Sequence, residues 1–312
     1  MDLSALNLGM IASFHYISYT TIERFSSLTS KTKMKGLLEI LASASEYAQL
    51  PIRPGEEDVL QRLINHQRQH VGGNLALDQR EVLLFATRLL QAMVDVISIN
   101  GWLSLALLAM EVSQMVTQGM WERDSMLLQL PHFTKELAKR CQENPGKSIE
   151  SIFDLVEMED GERRELLQMS DLQLLDIAKF CNRFPNIDLS YEIESENVRA
   201  GENVTLQVTL ERDLEGRTEV EPVDAPRFPK AKEEGWWLVV GDTKTDQLLA
   251  IKRVCLARKA KVNLVFCAPS EAGRKTYMVY FMCDSFLGCD QEYNFNVDVL
   301  EAAGCDEDSG NE

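Results

Sequence analysis

The sequence predicts a multidomain protein, α-helical first and β afterwards: a helical bundle, a helix-loop-helix module and a seven-stranded immunoglobulin-like or fibronectin type III-like β-sandwich. Up to about Asn186, apolar residues recur at the spacing of amphipathic helices, and beyond it they alternate with polar residues at the period of a strand. The sequence Phe184-Pro185-Asn186 stands at the change, and the residue before a proline is driven out of the helical region. These observations place the end of the helical half near residue 186.

The length and composition fit this division. The chain has 312 residues, of which 45% are hydrophobic and 26% charged, so it is long enough for two or three domains with real cores and unlike a disordered chain. We predict a bundle over residues 1–122, a helix-loop-helix module over 123–186, a sandwich over 187–302 and an acidic disordered tail over 303–312. The charged, proline-containing stretch from Leu214 to Glu234 is predicted to be a long loop.

Two strongly apolar segments define the middle of the predicted bundle. They are Gln79 to Ile99 and Leu103 to Trp121, and Asn100-Gly101 between them is a typical helix stop. Upstream, a capping box at Thr20 and Glu23 and further amphipathic runs predict shorter helices. These runs are Lys33 to Tyr47 and Asp58 to His66.

The helix-loop-helix module is predicted from its caps and breaks. Thr134 is placed to cap the helix Lys135 to Gln142, and Ser170 with Gln173 forms a capping box before Asp171 to Cys181. Between these helices lie two more predicted helical segments, Ser148 to Glu157 and Gly161 to Gln168.

Seven segments after residue 186 show strand patterning, the number expected of an immunoglobulin-like sandwich. The turns at Gly241 to Lys244 and Glu271 to Gly273 are predicted to be hairpins. The segments are Leu189 to Ile193, Val204 to Leu210, Trp236 to Val240, Gln247 to Val254, Ala260 to Phe266, Thr276 to Met282 and Tyr293 to Val299.

Charge and cysteine usage exclude several classes of function. The 49 acidic and 32 basic side chains give a net charge of −17, which argues against phosphate binding across the whole surface. The predicted sandwich and tail carry 14 basic and 25 acidic residues, so we expect this part to be the least suited to nucleic acid. The seven cysteines form no CxxC pair, which favours reduced thiols and an intracellular setting. We expect no membrane association, because the most apolar stretch, Trp102 to Met110, is short.

The motifs that would carry catalysis are incomplete. Gly146-Lys147-Ser148 resembles the end of a P-loop, but Cys141 stands where that loop needs its first glycine. His66 and His70 share one helical face, yet neither the glutamate of a metalloprotease nor a third ligand accompanies them. We therefore predict no catalytic, cofactor-binding or metal-binding residue, and no enzyme activity of this segment itself.

One candidate nucleic-acid contact remains, at the end of the helix Leu103 to Trp121. Gln114, Gln118 and Trp121 fall at helical spacing, and Arg123 follows. Polar amides and a cation beside an aromatic ring that can stack on a base suit single-stranded RNA. The alternative is a solvated face whose tryptophan belongs to the core.

Four segments of the chain resemble the Sec sixty-three homology unit. The similarity extends over essentially the whole chain and orders its three parts as that family does. The segments are Leu8 to Phe25, Ala109 to Trp121, Leu130 to Phe133 and Phe180 to Ile187.

This family occurs in a translocation protein of the endoplasmic reticulum and after the motor domains of large Ski-two-like RNA helicases. The chain is most similar to the carboxy-terminal units of spliceosomal helicases of the U5 small nuclear ribonucleoprotein. In such helicases, the resemblance implies, the helix Leu103 to Trp121 faces the nucleic-acid channel as a ratchet, while motor domains elsewhere hydrolyse ATP.

The resemblance therefore implies a nuclear, noncatalytic protein-interaction and regulatory module of an ATP-dependent RNA helicase in pre-mRNA splicing. The implied partners are splicing-factor proteins of the U5 particle and the adjoining motor domains of the same polypeptide, with no cofactor. Two alternatives remain open. One is a ratchet-type module that guides single-stranded RNA, and the other is the cytosolic part of the translocation machinery of the endoplasmic reticulum.

Overall fold

A computed structural model describes residues 7–65, 73–194 and 197–302. The chain divides into two compact units. The helical unit comprises Met1–Phe184 together with two loops, Glu221–Glu234 and Cys283–Gly288. The β unit comprises Pro185–Val220, Gly235–Met282 and Cys289–Glu312. The proposed three-part boundaries at residues 122 and 186 stay a prediction.

Ten α-helices lie in the described part of the helical unit, with short 3-10 helices at Ser45–Tyr47 and Met126–Gln129. The α-helices are α1 (Asn7–His15), α2 (Tyr19–Phe25), α3 (Met34–Ala42), α4 (Glu57–Ile64), α5 (Gly73–Ile99), α6 (Leu103–Gln118), α7 (Lys135–Gln142), α8 (Ile152–Glu157), α9 (Asp160–Leu167) and α10 (Asp171–Arg183).

The paired helices α5 and α6 form the core of the helical unit, as the apolar segments indicated. Gly101 between them adopts φ of +72°, a left-handed conformation that an L side chain rarely adopts. Leu89, Leu90, Met93 and Ile97 on α5 are fully buried. By length and mean hydropathy α5 alone among the described helices is apolar enough to cross a membrane, a test that the core helix of a soluble protein also passes.

Two details of the predicted bundle are wrong. Thr20 does not open a capping box, because α2 begins at Tyr19 and the Thr20 hydroxyl instead contacts Ser18 and Ser45. The predicted helix Lys33 to Tyr47 is broken: α3 ends at Ala42, and a separate 3-10 turn follows. The hydroxyl of Ser45 in that turn contacts the side chains of α2.

The caps of α7 and α10 are confirmed, and α8 has one that the sequence did not reveal. The Thr134 and Ser170 side chains accept hydrogen bonds from Leu137 and Gln173 amides, respectively. Ser151 and Asp154 form a second complete capping box, so α8 is capped at Ser151 and begins later than the predicted Ser148.

Eight strands form two sheets in the described part of the β unit. One sheet has the order β1-β3-β6 and the other β2-β8-β7-β4-β5. The strands are β1 (Ile187–Ile193), β2 (Asn197–Arg199), β3 (Asn203–Arg212), β4 (Trp236–Asp242), β5 (Gln247–Val254), β6 (Lys259–Cys267), β7 (Gly273–Cys283) and β8 (Gln291–Leu300).

The seven predicted strands are present, but the count of seven is wrong because β2 was missed. This three-residue strand runs parallel to β8 and is too short for a visible alternation. The predicted hairpin at Glu271 to Gly273 is also wrong, since β6 and β7 belong to different sheets. A loop does occupy 214–234, as predicted.

Aromatic side chains connect the two sheets. Phe266 of β6 lies with its ring centroid 5.1 Å from that of Tyr277 on β7 and 6.3 Å from that of Phe295 on β8. Within the five-stranded sheet, Trp236 stacks on Phe281 at 4.2 Å. The layered immunoglobulin-like or fibronectin-like arrangement itself stays a prediction.

Candidate functional site: the polar face of α6

Four polar side chains on one face of α6 are buried. Ser113, Gln114, Thr117 and Gln118 have at most 4% of their surface exposed. They lie at positions i, i+1, i+4 and i+5, which places them on one side of the helix. A buried amide or hydroxyl is costly unless it is hydrogen-bonded, so their partners decide what this face does.

The partners are backbone carbonyls of the loop Cys283–Gly288, which belongs to the same unit. The Gln114 amide donates to the Cys283 carbonyl at 2.8 Å, and the Gln118 amide to the Ser285 carbonyl at 2.9 Å. The Ser113 hydroxyl donates to the Asp284 carbonyl at 3.0 Å. The face therefore binds a loop of its own chain through the carbonyls of three consecutive residues.

The side chains of this loop complete a buried ionic cluster. Lys232 Nζ lies 2.8 Å from Asp284 Oδ1 and 2.6 Å from Ser285 Oγ, and the Ser285 hydroxyl also donates to the Asp284 carboxylate. The Lys232 and Asp284 side chains are 11% and 2% exposed. Because both charges are largely removed from water, each depends on the other for its stability.

A second loop of the helical unit, Glu221–Glu234, covers the end of α6. Its ends are joined by a hydrogen bond from the Val223 amide to the Lys232 carbonyl at 2.8 Å. The Arg227 guanidinium donates to the Gly119 carbonyl at 3.1 Å, placing a cation at the negative end of the helix. We call this segment the strap.

The close approach of the strap explains the glycine that ends α6. Gly119 adopts φ of +63°, and a Cβ atom there would lie 3.0 Å from Arg227 Cδ. At the other side of the strap, Arg183 at the end of α10 pairs with Asp224 at 2.8 Å.

The four predicted nucleic-acid contacts are thus divided. Gln114 and Gln118 bind the loop Cys283–Gly288, whereas Trp121 and Arg123 follow α6 and are exposed, Trp121 to 55%. The alternative that placed Trp121 in the core is wrong. A carboxylate also lies on this helix: partial burial raises the pKa of Glu111, and the negative charge of Glu122 adds to that rise. The RNA contact stays a prediction.

Sequence reasoning missed the residues that complete this cluster. Lys232, Asp284 and Ser285 lie far from α6 in sequence and belong to segments read only as loops. One indication of them was present in the sequence. A helix otherwise apolar on most sides carries two glutamines, and these need hydrogen-bond partners if the helix lies in the core.

The other sequence candidates have structural roles. Lys147 in Gly146-Lys147-Ser148 pairs with Asp154 at 3.0 Å and Glu157 at 2.9 Å, fixing the loop before α8. His66 and His70 lie outside the described residues. Within the part of the chain that the structure describes, no group of three or more histidine, cysteine, aspartate or glutamate side chains is arranged to hold a metal ion.

The chain matches a known protein family. The family model described as the Sec63 Brl domain matches residues 5–76 and 67–296. The chain belongs to this family. This confirms the resemblance drawn from the sequence.

Three relatives of high identity are named as RNA helicases. The DExH-box ATP-dependent RNA helicases DExH12 and DExH13 of Arabidopsis thaliana are 74% and 69% identical over 96% and 98% of the chain. The U5 small nuclear ribonucleoprotein 200 kDa helicase of Homo sapiens is 51% identical over 97% of the chain. The chain spans 15% of the length of each of these three relatives.

Proposed function

We propose that this chain is the noncatalytic protein-interaction and regulatory module of a large ATP-dependent RNA helicase that acts in pre-mRNA splicing in the nucleus. The observation that carries the proposal is 51% identity over 97% of the chain to a helicase named for the U5 small nuclear ribonucleoprotein, of which it spans only 15%. Its partners are then splicing-factor proteins of that particle and the motor domains of the same polypeptide.

The geometry of α6 supports an interaction role over a strong grip on RNA. The amides of Gln114 and Gln118 are used by the loop Cys283–Gly288, and Glu111 adds a carboxylate to the helix. A polyanion such as RNA gains nothing from these groups unless the loop moves.

Capture from nuclear extract tests the proposal. The whole chain is immobilised, and bound proteins are identified by mass spectrometry beside an equally folded Sec63-family unit from a protein-translocation protein. We expect U5 proteins on the chain and not on the control. Capture of translocation proteins, or of no splicing protein, would overturn the proposal.

A second candidate function, guidance of single-stranded RNA, is favoured by the exposure of Trp121 and Arg123. An exposed indole offers a stacking surface for a base, and the guanidinium a contact for phosphate. Fluorescence anisotropy with labelled single-stranded RNA at low and high salt tests it. Micromolar binding that falls steeply with salt and is lost on Trp121→Ala supports RNA guidance, and binding unchanged by this substitution contradicts it.

The third interpretation is that the chain is a cytosolic part of the translocation machinery of the endoplasmic reticulum. It is compatible with the same family match. The three relatives reported above are all named as RNA helicases, which favours the splicing assignment.

A further inference from the structure

One stretch of the β unit reverses the charge of its surroundings. Residues 187–312 contain 25 acidic side chains, yet none of them falls between Gln247 and Ser270. Five of the 14 basic side chains of the same region lie within residues 252–261. We call these five the basic edge: Lys252, Arg253, Arg258, Lys259 and Lys261.

The fold gathers the basic edge at the end of two strands. Lys252 and Arg253 are near the end of β5, Arg258 lies in the connection, and Lys259 and Lys261 open β6. All five residues are exposed. β5 ends the order of the five-stranded sheet and β6 that of the three-stranded sheet, so both are edge strands.

Part of this positive charge is not neutralised by the residues that the structure describes. Lys259 pairs with Glu211 at 3.1 Å, but both side chains are more than half exposed, and such pairs are weak. The Arg253 guanidinium lies 4.1 Å from the centre of the Trp237 ring, a cation–π contact that holds it in place. The Lys252 and Arg258 side chains make no hydrogen bond or ion pair to the residues that the structure describes.

One role of the basic edge could be to keep the edge strands from pairing with another sheet, but this explains only part of it. Lysine on an edge strand does discourage pairing with another sheet. That role can be filled by charges of either sign, and it does not require Arg258 in a connection outside the strands. A single sign maintained over both strand ends and the connection between them indicates an anionic partner.

We propose that the basic edge binds an extended acidic segment of a partner protein, which lies along β5 as an added strand. Main-chain hydrogen bonds to the open edge would supply affinity, and carboxylates facing Lys252 and Arg258 would supply selectivity. This inference rests on the proposed interaction function and names the chemistry of one partner.

A protein segment fits this surface better than RNA. Proteins that bind single strands combine cations with exposed aromatic rings on which bases stack. No aromatic residue occurs from Gln247 to Val265, and Phe266, which follows, is buried. The surrounding acidic residues also repel a long polyanion more than a short peptide that alternates acidic and apolar residues.

Peptide binding to the whole chain tests the proposal. The probe is a fluorescein-labelled peptide of alternating glutamate and valine, and a glutamine–valine peptide is the uncharged control. The variant Lys252→Glu/Arg258→Glu removes two cations without a side-chain partner, and Lys244→Glu/Arg274→Glu is a control of equal charge change at exposed sites elsewhere in the β unit. We expect the acidic peptide to bind about tenfold or more weakly to the first variant and almost unchanged to the control variant.

Hydrogen exchange locates the peptide. Protection of the amides of Gln247–Val254 by the acidic peptide supports strand addition, and protection confined to other strands contradicts it. Equal weakening in both variants, or tighter binding of a uridine oligonucleotide at the same site, also overturns the proposal. If U5 proteins are still captured while the acidic peptide does not bind, this inference fails and the proposed function stands.

Discussion

Two helices of the helical unit invert the usual relation between polarity and burial. α6 buries the amides of Gln114 and Gln118, whereas α10 exposes Leu172 to 76% and Leu175 to 51%. The difference lies in what each helix meets. α6 faces carbonyls that pair with its amides one by one, and the outer side of α10 meets solvent within the described residues.

This comparison shows that hydrophobicity alone does not assign the inner face of a helix. A polar side chain can be buried at little net cost when its partner is supplied, and at a cost of a few kcal/mol when it is not. The polar face of α6 is therefore specific for one loop. The exposed leucines of α10 cost little, since single apolar residues are common on surfaces.

The largest loss of unfolding free energy is expected when the buried ion pair between Lys232 and Asp284 is broken. Asp284→Ala leaves Lys232 without its carboxylate in a largely buried position, and removal of one partner of a buried pair costs about 3–5 kcal/mol. Urea denaturation should show this loss of unfolding free energy. Asp171→Ala on α10 breaks the exposed pair with Arg164 and should cost less than about 1 kcal/mol.

A second variant separates the charge from the packing. Lys232→Met combined with Asp284→Leu removes both charges and should recover much of the stability that Asp284→Ala loses. If the double variant is as unstable as the single variant, the ion pair is not the cause.

The second largest loss of unfolding free energy is expected when a single neutral hydrogen bond of the buried α6 face is removed. Gln114→Ala leaves the Cys283 carbonyl without this donor, which should lower the free energy of unfolding by about 1–3 kcal/mol. Gln142 on α7 is exposed, and Gln142→Ala should change it by less than about 0.5 kcal/mol. Equal effects in the two variants would show that the Gln114 contact contributes nothing.

The order of elements was accessible from the sequence because it depends on local pattern. The apolar runs of α5 and α6, the caps at Thr134 and Ser170 and the alternation of β3 and β8 all report on neighbouring residues. β2 was missed because three residues carry no period, and the Glu271 to Gly273 turn was misread because sheet membership depends on distant pairing.

The candidate site was less accessible, because its partners are far apart in sequence. Gln118 and Ser285 are separated by 167 positions, and Lys232 and Asp284 by 52. Helical spacing puts Gln114 and Gln118 on one side of α6, but the same spacing suits solvent, RNA or a loop. Only the distant carbonyls decide among them.

A smaller loss of unfolding free energy is expected at the capping boxes of α8 and α10, and its dependence on pH differs between the two boxes. Ser151→Ala and Ser170→Ala should each cost about 1 kcal/mol. Burial alone would raise the pKa of Asp154, but hydrogen bonds from Lys147, Ser151 and backbone amides outweigh it and lower the pKa to about 2.

The sign of the pH effect follows from that depressed pKa. The Asp154 carboxylate contributes its stability fully above its ordinary value of 3.8, and the contribution is lost as pH falls toward about 2. Gln173 in the other box does not titrate. Urea midpoints of wild type and Asp154→Asn should therefore converge as pH falls from about 4 to about 2, and a constant gap across this range would contradict the assignment.

The smallest effect is expected on the exposed side of α10. Leu172→Gln and Leu175→Gln should each change the free energy of unfolding by less than about 0.5 kcal/mol, since little apolar surface leaves the core and glutamine favours helix almost as well as leucine. The matched change inside the same helix is Ile177→Gln, at a residue 3% exposed, and it should cost several times more. A loss above about 1 kcal/mol for Leu172→Gln in the purified chain would mean that this leucine is covered in solution, and the contrast between α10 and α6 would then no longer hold.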